Sequence, residues 1–483
     1  MPPLPTTNRR AQACPHEGGD THHMVTLLHH SDVENVYDDH DRAARLAGLL
    51  AARAGDDALV VGTGDDTAPG VLPLVTGGRQ AIPFFEAAGT ALETFGNHDF
   101  DFGVEATREL VADAPPTWVT VNVRDERGEP FAVHDGVEPW VVRTVGDERV
   151  GFFGVTDPAT DSLNPEAAEL SFDDPLPAAR EAVADLRAAG VDHVVALSHL
   201  GQGDDDLARL DGVDAVLGGH VHSRRVDHVD GTLVTRPGVN GTCVVAVELT
   251  ADGATGDLLH VDEVVAAESV EPAASVATAL ADRVSEAGLD RTVAHVDDRI
   301  ERTETTAHGG ESRIGNLVAD AYRAAADVDV GLQNAGGLRL GEPLTGDVTL
   351  ADCIGVLPFE EPVVVCELTG AELRDVARQM SASVVDFGDP EWWHGHVSGL
   401  ELLFDRETET VRELRVGGEP VVDDRLYTVA TPEYVLHSDH EFPAIGERHR
   451  AGEHGVQHEV LADYLRDNPV PPVEGRVRFV GEE

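Results

Sequence analysis

From Met24 onward, short runs rich in Val, Leu and Phe alternate with longer segments whose apolar residues recur every three or four positions. MVTLLHHS is followed by RAARLAGLLAARAG, ALVVGTGD, IPFFEAAG and TALETFGNHD, then by RVGFFGVTD, PAAREAVADLRAAG, DHVVALSHLG and DAVLGGHVH. Such alternation predicts an α/β layered domain with a largely buried sheet, running over residues 24–265. Residues 266–291 carry helical periodicity without strand signals and read as a linker helix. After it the order changes: SRIGNLVADAYRAAAD precedes DVGLQNAGGLR, VLPFEEPVVVCEL, GLELLFDRE and RLYTVATPEYV. Mixed without regular alternation, these predict a second, α+β domain over residues 292–483.

Composition adds an unusual constraint. The formal net charge is -54 and every basic side chain other than histidine is arginine. Self-repulsion of that size weakens a compact fold in dilute buffer, whereas molar salt shortens the Debye length to ~3 Å and removes most of the penalty. The chain therefore reads as a protein of an extreme halophile. An acidic disordered chain is excluded by the regular apolar segments. Nucleic acid is disfavoured as a partner because no basic stripe could replace its counterions. No apolar run approaches the ~18 residues that span a bilayer, so no membrane association is expected. Residues 1–23 hold no apolar core of a secretory signal and are expected to be a disordered tail, which points to the cytoplasm. Cys14, Cys243, Cys353 and Cys366 are too scattered for a disulfide framework or a cysteine zinc site.

Candidate chemistry gathers in the first domain, each time directly after an apolar β-run. The clusters are Asp32 and Glu34; Asp65 and Asp66 in GTGDD; Asn97, His98, Asp99 and Asp101 in GNHDFD; His199 in LSHLG; and His220 and His222 in LGGHVH. Taken singly they are weak, since acidic pairs recur by chance among 89 acidic residues and a lone histidine after a strand is commonly structural. Strand periodicity would place His220 and His222 on one face, and extended geometry would do the same for Asp32 and Glu34. The conjunction is what matters. In an open α/β sheet the carboxyl ends of the strands converge on one crevice, so all five clusters can share it. Carboxylates, imidazoles and one amide oxygen suit first-row divalent metals, in numbers sufficient for two ions clamping a phosphoryl group. Such ions would also offset the repulsion between an anionic phosphate and so acidic a protein.

These motifs resemble the calcineurin-like metallophosphoesterases, specifically their 5′-nucleotidase branch. A second set, ESRIGNLVADAYR, NAGGLR, LPFEEP, LTGAEL, VSGL and YTVATPEY, resembles the 5′-nucleotidase C-terminal domain. The resemblance implies an αββα sandwich carrying the metal centre and a C-terminal domain that binds substrate. It also implies roles. Asp32, Asp65 and His222 would hold one metal; Asp65, Asn97, His199 and His220 the other; His98 and Asp101 would form the catalytic dyad. Arg339 would contact substrate phosphate, and Phe359 and Tyr434 would sandwich the base.

Three departures stand out. The family's Asp-x-His-Gly motif reads Asp32-Val33-Glu34-Asn35 here, leaving Glu34 at the ligand position and favouring manganese over zinc. Glu360 and Glu361 stand where the family often has asparagine, and Ser438-Asp439-His440-Glu441 replaces its Gly-Gly-Asp-Gly turn. The expected activity is hydrolysis of nucleoside monophosphates or related nucleotides. A phosphodiesterase for cyclic nucleotides or nucleotide sugars, and a nucleotide-binding protein with a degraded catalytic domain, are the alternatives. Asp99 is read as a solvated acid without a role.

Overall fold

Two six-stranded sheets face each other in the first half of the chain, seen in a computed structural model that describes residues 24–438 and 440–481. The expected N-terminal tail, with Cys14, lies outside the described residues. In the first sheet the strands run in the order Gly253–His260, Cys243–Thr250, Val25–His30, Ala58–Gly62, Thr90–Glu93, Thr117–Trp118. The last four are mutually parallel. In the second the order is Arg224–Val229, Thr232–Pro237, Ala215–Gly218, His193–His199, Glu148–Thr156, Trp140–Val145, and the middle four are parallel.

Period two decides which side chain goes where. Leu27, Val61 and Leu92 point inward and meet Phe152, Val195 and Leu217 of the other sheet. Leu28 and Val60 point outward beneath the helix His40–Arg53, whose Ala43, Leu46, Ala47 and Leu50 form a helical stripe. Asp39 caps that helix by accepting from Arg42 N. The helix Pro175–Ala188 covers the second sheet with Ala179, Ala182, Val183 and Leu186. The result is the αββα sandwich.

Between the halves, the helix Ala274–Glu286 is no free connector. Val276 and Leu280 are fully buried in the same outer core as Leu46 and Phe85. The remainder builds a five-stranded sheet, ordered Gly395–Ser398, Val330–Asn334, Leu426–Pro432, Pro362–Thr369, Arg450–Val456, beside a four-stranded one. LTGAEL proves to be a helix start: Thr369 and Glu372 close a capping box on the helix Gly370–Gln379. At the junction, Ile354 of the helix Leu350–Val356 buries into the first half's core. Cys243, Cys353 and Cys366 are buried and free.

Candidate metal centre

The C-terminal ends of the parallel strands deliver the polar clusters to one crevice. Two triads form there. Asp32, Glu34 and His222 converge in one, and Asp65, His199 and His220 in the other, each with ligand atoms within 4.8 Å of one another. Asp32 joins them: its Oδ1 accepts from His220 N at 3.0 Å and lies 3.8 Å from His222 Nε2. His222 Nε2 is 3.0 Å from Glu34 Oε1, and His199 Nε2 is 3.0 Å from Asp65 Oδ2.

The local geometry differs from the strand argument. The strands end at His30 and Gly218, before either pair of residues. Asp32 (φ 50°), Glu34 (φ 46°), Asp65 (φ 54°) and His220 (φ 69°) instead hold left-handed backbone, which costs a non-glycine residue of order 1 kcal/mol or more. Two left-handed residues flanking Val33 bring Asp32 and Glu34 side by side, and a turn sends His220 and His222 to different triads. Cross-links stabilise the conformation: Asp32 N donates to Gly64 O and Glu34 N to Asp65 O. Gly96 and Gly219 allow the close approach, since a β-carbon at Gly96 would collide with Asp65 Oδ1 and one at Gly219 with Ser31 Oγ.

The residues fit divalent cations. Asn97 Oδ1 is buried without a hydrogen-bond partner, which is costly unless something binds it. Burial pushes the Asp32 carboxyl up to about 7, with His199 lowering it and Asp65 raising it. Burial alone would lower the His199 imidazole, yet the Asp65 carboxylate holds it above its ordinary value. These shifts mark carboxylates crowded around too little positive charge, which divalent cations would supply. His199 Nδ1 faces Thr63 O at 2.7 Å, which orients Nε2 toward the crevice.

His98 sits at the rim. Its backbone N–H donates to Asp65 Oδ1 at 2.7 Å, and its Nδ1 lies 2.9 Å from Asp101 Oδ2. Burial would lower this imidazole; the hydrogen bond to Asp101 and the charge of Asp65 outweigh it and push it up to about 9. Asn164, which no motif singles out, donates to Asp101 Oδ1 and to Asn97 O. Asp157 lies 3.5 Å from His220 Nε2, another neighbour lost among many acids.

Asp99 is not the solvated acid expected. It is 4% exposed, and its carboxylate accepts from Asp65 N (2.9 Å), Gly96 N (2.8 Å) and Thr67 Oγ1 (2.6 Å), fastening GTGDD to GNHDFD.

Across the junction, burial holds the Arg339 guanidinium below its ordinary pKa, and the Glu34 carboxylate of the first triad opposes that shift. The Arg339 guanidinium stacks 4.9 Å over Phe359. Phe359 and Tyr434 line one cavity with Asn334, Phe387 and Glu441. Glu361 ties the two aromatic segments together by accepting from Tyr434 N at 3.0 Å. Of the altered turn, Asp439 lies outside the described residues; Ser438 Oγ accepts from His440 N and Glu441 N, and buried Glu441 accepts from Asn334 Nδ2 at 2.7 Å.

Comparison with known proteins gives the same picture. The calcineurin-like phosphoesterase family model matches residues 19–224, and the 5′-nucleotidase C-terminal domain model matches residues 292–447. The chain is 24% identical to the trifunctional nucleotide phosphoesterase protein YfkN of Bacillus subtilis, over 94% of this chain but 35% of that one. It is 24% identical to 5′-nucleotidase of Bos taurus, over 94% and 91% of the two chains. The crystal structure of a 5′-nucleotidase precursor from Thermus thermophilus superposes with a TM-score of 0.71 at 25% identity, covering 95% of this chain and 100% of that one. With both domain models matched in order, the chain carries a calcineurin-like phosphoesterase domain followed by a 5′-nucleotidase C-terminal domain, and it is a phosphoric ester hydrolase.

Proposed function

We propose that the enzyme hydrolyses phosphate esters of nucleotides, releasing nucleoside and phosphate, in the salt-rich cytoplasm of an extreme halophile. The observation that carries this reading is the pair of triads joined by Asp32, with the unpaired Asn97 Oδ1 in the loop that also holds His98. Asp32, Glu34, Asp65 and His222 would hold one cation, and Asp65, Asn97, His199 and His220 the other. When bound, such ions polarise a phosphoryl oxygen and supply a nucleophilic water at neutral pH. Glu34 replaces a neutral imidazole with a carboxylate, so manganese is the favoured ion. Zinc alone restoring full activity to the stripped protein would count against that preference.

The chain's own groups then do the following. His98 is kept protonated and oriented by Asp101, with Nε2 free to donate to the developing charge on phosphate or leaving oxygen. Arg339 supplies a planar fork of donors for phosphate from the second domain. Phe359 and Tyr434 offer π-faces to a base, a contact of about 1–3 kcal/mol per base. In this reading residues 24–265 are the catalytic unit, 266–291 the connection and 292–483 the substrate-binding unit.

The test is phosphate release from a panel of nucleoside monophosphates, cyclic nucleotides and nucleotide sugars, in molar salt with manganese. Release chiefly from monophosphates is expected, and none from any member would overturn the proposal. Loss of structure and activity on dilution of salt checks the halophile assignment. Equal stability in dilute buffer would refute it.

A further inference from the structure

Beneath the crevice, and separate from both triads, lies a third group. His30, Asp66 and Glu93 are 1%, 0% and 0% exposed. Each spends its other polar atoms on the surrounding fold. His30 Nε2 lies 3.2 Å from Thr90 Oγ1, Asp66 Oδ1 accepts from Val33 N at 3.0 Å, and Glu93 Oε1 accepts from Gly64 N and Thr94 N at 3.1 Å each. What remains is one atom apiece: His30 Nδ1, Asp66 Oδ2 and Glu93 Oε2. All three are buried with no donor or acceptor from the surrounding fold, Asp66 and Glu93 lying close enough to share a proton, and the three residues offer ligand atoms within 4.8 Å of one another. His30 Nδ1 is 3.0 Å from Asp66 Oδ2 but not aligned to hydrogen-bond with it. Among the described residues, no arginine pairs with either carboxylate.

We propose that His30, Asp66 and Glu93 form a third, structural site for a divalent cation. Geometry, ligand chemistry and charge all point to an ion. Three orphaned buried atoms converging on one point are costly unless something binds them together. An imidazole nitrogen with two carboxylate oxygens is a ligand set for a first-row divalent ion. A divalent ion would also supply the counter-charge that two facing buried carboxylates lack, in a place where uncompensated negative charge is expensive.

The placement gives the ion a role. His30 ends the strand Val25–His30, Glu93 ends Thr90–Glu93, and Asp66 lies four residues past Gly62, the end of Ala58–Gly62. These are neighbouring parallel strands. The loops leaving them hold Asp32 and Glu34, Asp65, and Asn97 and His98. A cation at the third site ties the three loops at their roots, so it positions the crevice residues without touching substrate.

The experiment uses the full-length protein loaded with Mn²⁺ and freed of excess ion. An anomalous difference map should contain three peaks, the third at bonding distance from His30 Nδ1, Asp66 Oδ2 and Glu93 Oε2. Elemental analysis should give three ions per chain, falling to two in Glu93→Gln. His30→Thr provides a second variant should Glu93→Gln fail to fold. Two crevice peaks with nothing at the third position would overturn the proposal and leave a proton shared by Asp66 and Glu93 as the occupant. That result would not affect the reaction assigned to the crevice, whose own failure would show as absent crevice peaks or absent turnover.

Discussion

Removing the Asp99 carboxylate tests how the crevice loops are held. In Asp99→Ala two backbone donors, Asp65 N and Gly96 N, lose their acceptor in a region closed to water, while the Thr67 hydroxyl can rotate. An unpaired buried donor costs about 1–3 kcal/mol, so the two amides together should cost about 2–6 kcal/mol. Asp99→Asn behaves differently. Its amide oxygen can serve both N–H groups and its NH₂ can donate to Thr67 Oγ1. The substitution also removes a charge that burial and the neighbouring Asp65 already disfavour, pushing the carboxyl up to about 7. It should cost about 1 kcal/mol or less. The assay is urea unfolding in molar salt at pH 8, followed by tryptophan fluorescence, to which Trp118 contributes from its stack on Phe95 at 4.7 Å, one residue before Gly96. Asp99→Ala falling within about 1 kcal/mol of the parent, or Asp99→Asn being equally damaging, would refute the fastening role.

Three further outcomes are expected. His98→Ala should lower turnover by about 10²–10⁴-fold while leaving metal content unchanged, measured by steady-state kinetics alongside elemental analysis. Arg339→Ala should raise KM by about 10–100-fold with a smaller effect on kcat, the equivalent of a lost hydrogen bond to charged phosphate. His396 is buried, its Nε2 meets Ala307 O at 2.8 Å, and burial foremost pushes its imidazole down to about 4. A histidine depressed in the folded state contributes its stability above the unfolded pKa of 6.5. That contribution, about 3 kcal/mol, drains away as pH falls from 6.5 toward 4. His396→Asn should flatten this acid limb in unfolding titrations, and an unchanged slope would contradict the assignment.

The sandwich and the meeting of its strand ends were legible because buried parallel strands leave continuous apolar runs, and the polar residues after them have one place to go. The pairing of Asp32 with Glu34 was legible too, though for a different physical reason. A left-handed turn, not an extended strand, sets them side by side, and hydrophobic periodicity carries no information about the sign of φ. Glu93 and Asp157 were missed, and Asp66 and Asp99 were left without a role, because a sequence this acidic carries no signal separating a solvated carboxylate from an interior one. Only the partner across the fold does that: Thr67 for Asp99, His220 for Asp157.

The left-handed backbone at Asp32, Glu34, Asp65 and His220 bears on how this enzyme could be engineered. A campaign selecting only for heat resistance would be drawn to these positions, because glycine or asparagine there relaxes the chain at no steric cost. Under the ligand roles proposed above, the hardier variants it returned would be poorer catalysts, so any such library should hold these four codons fixed.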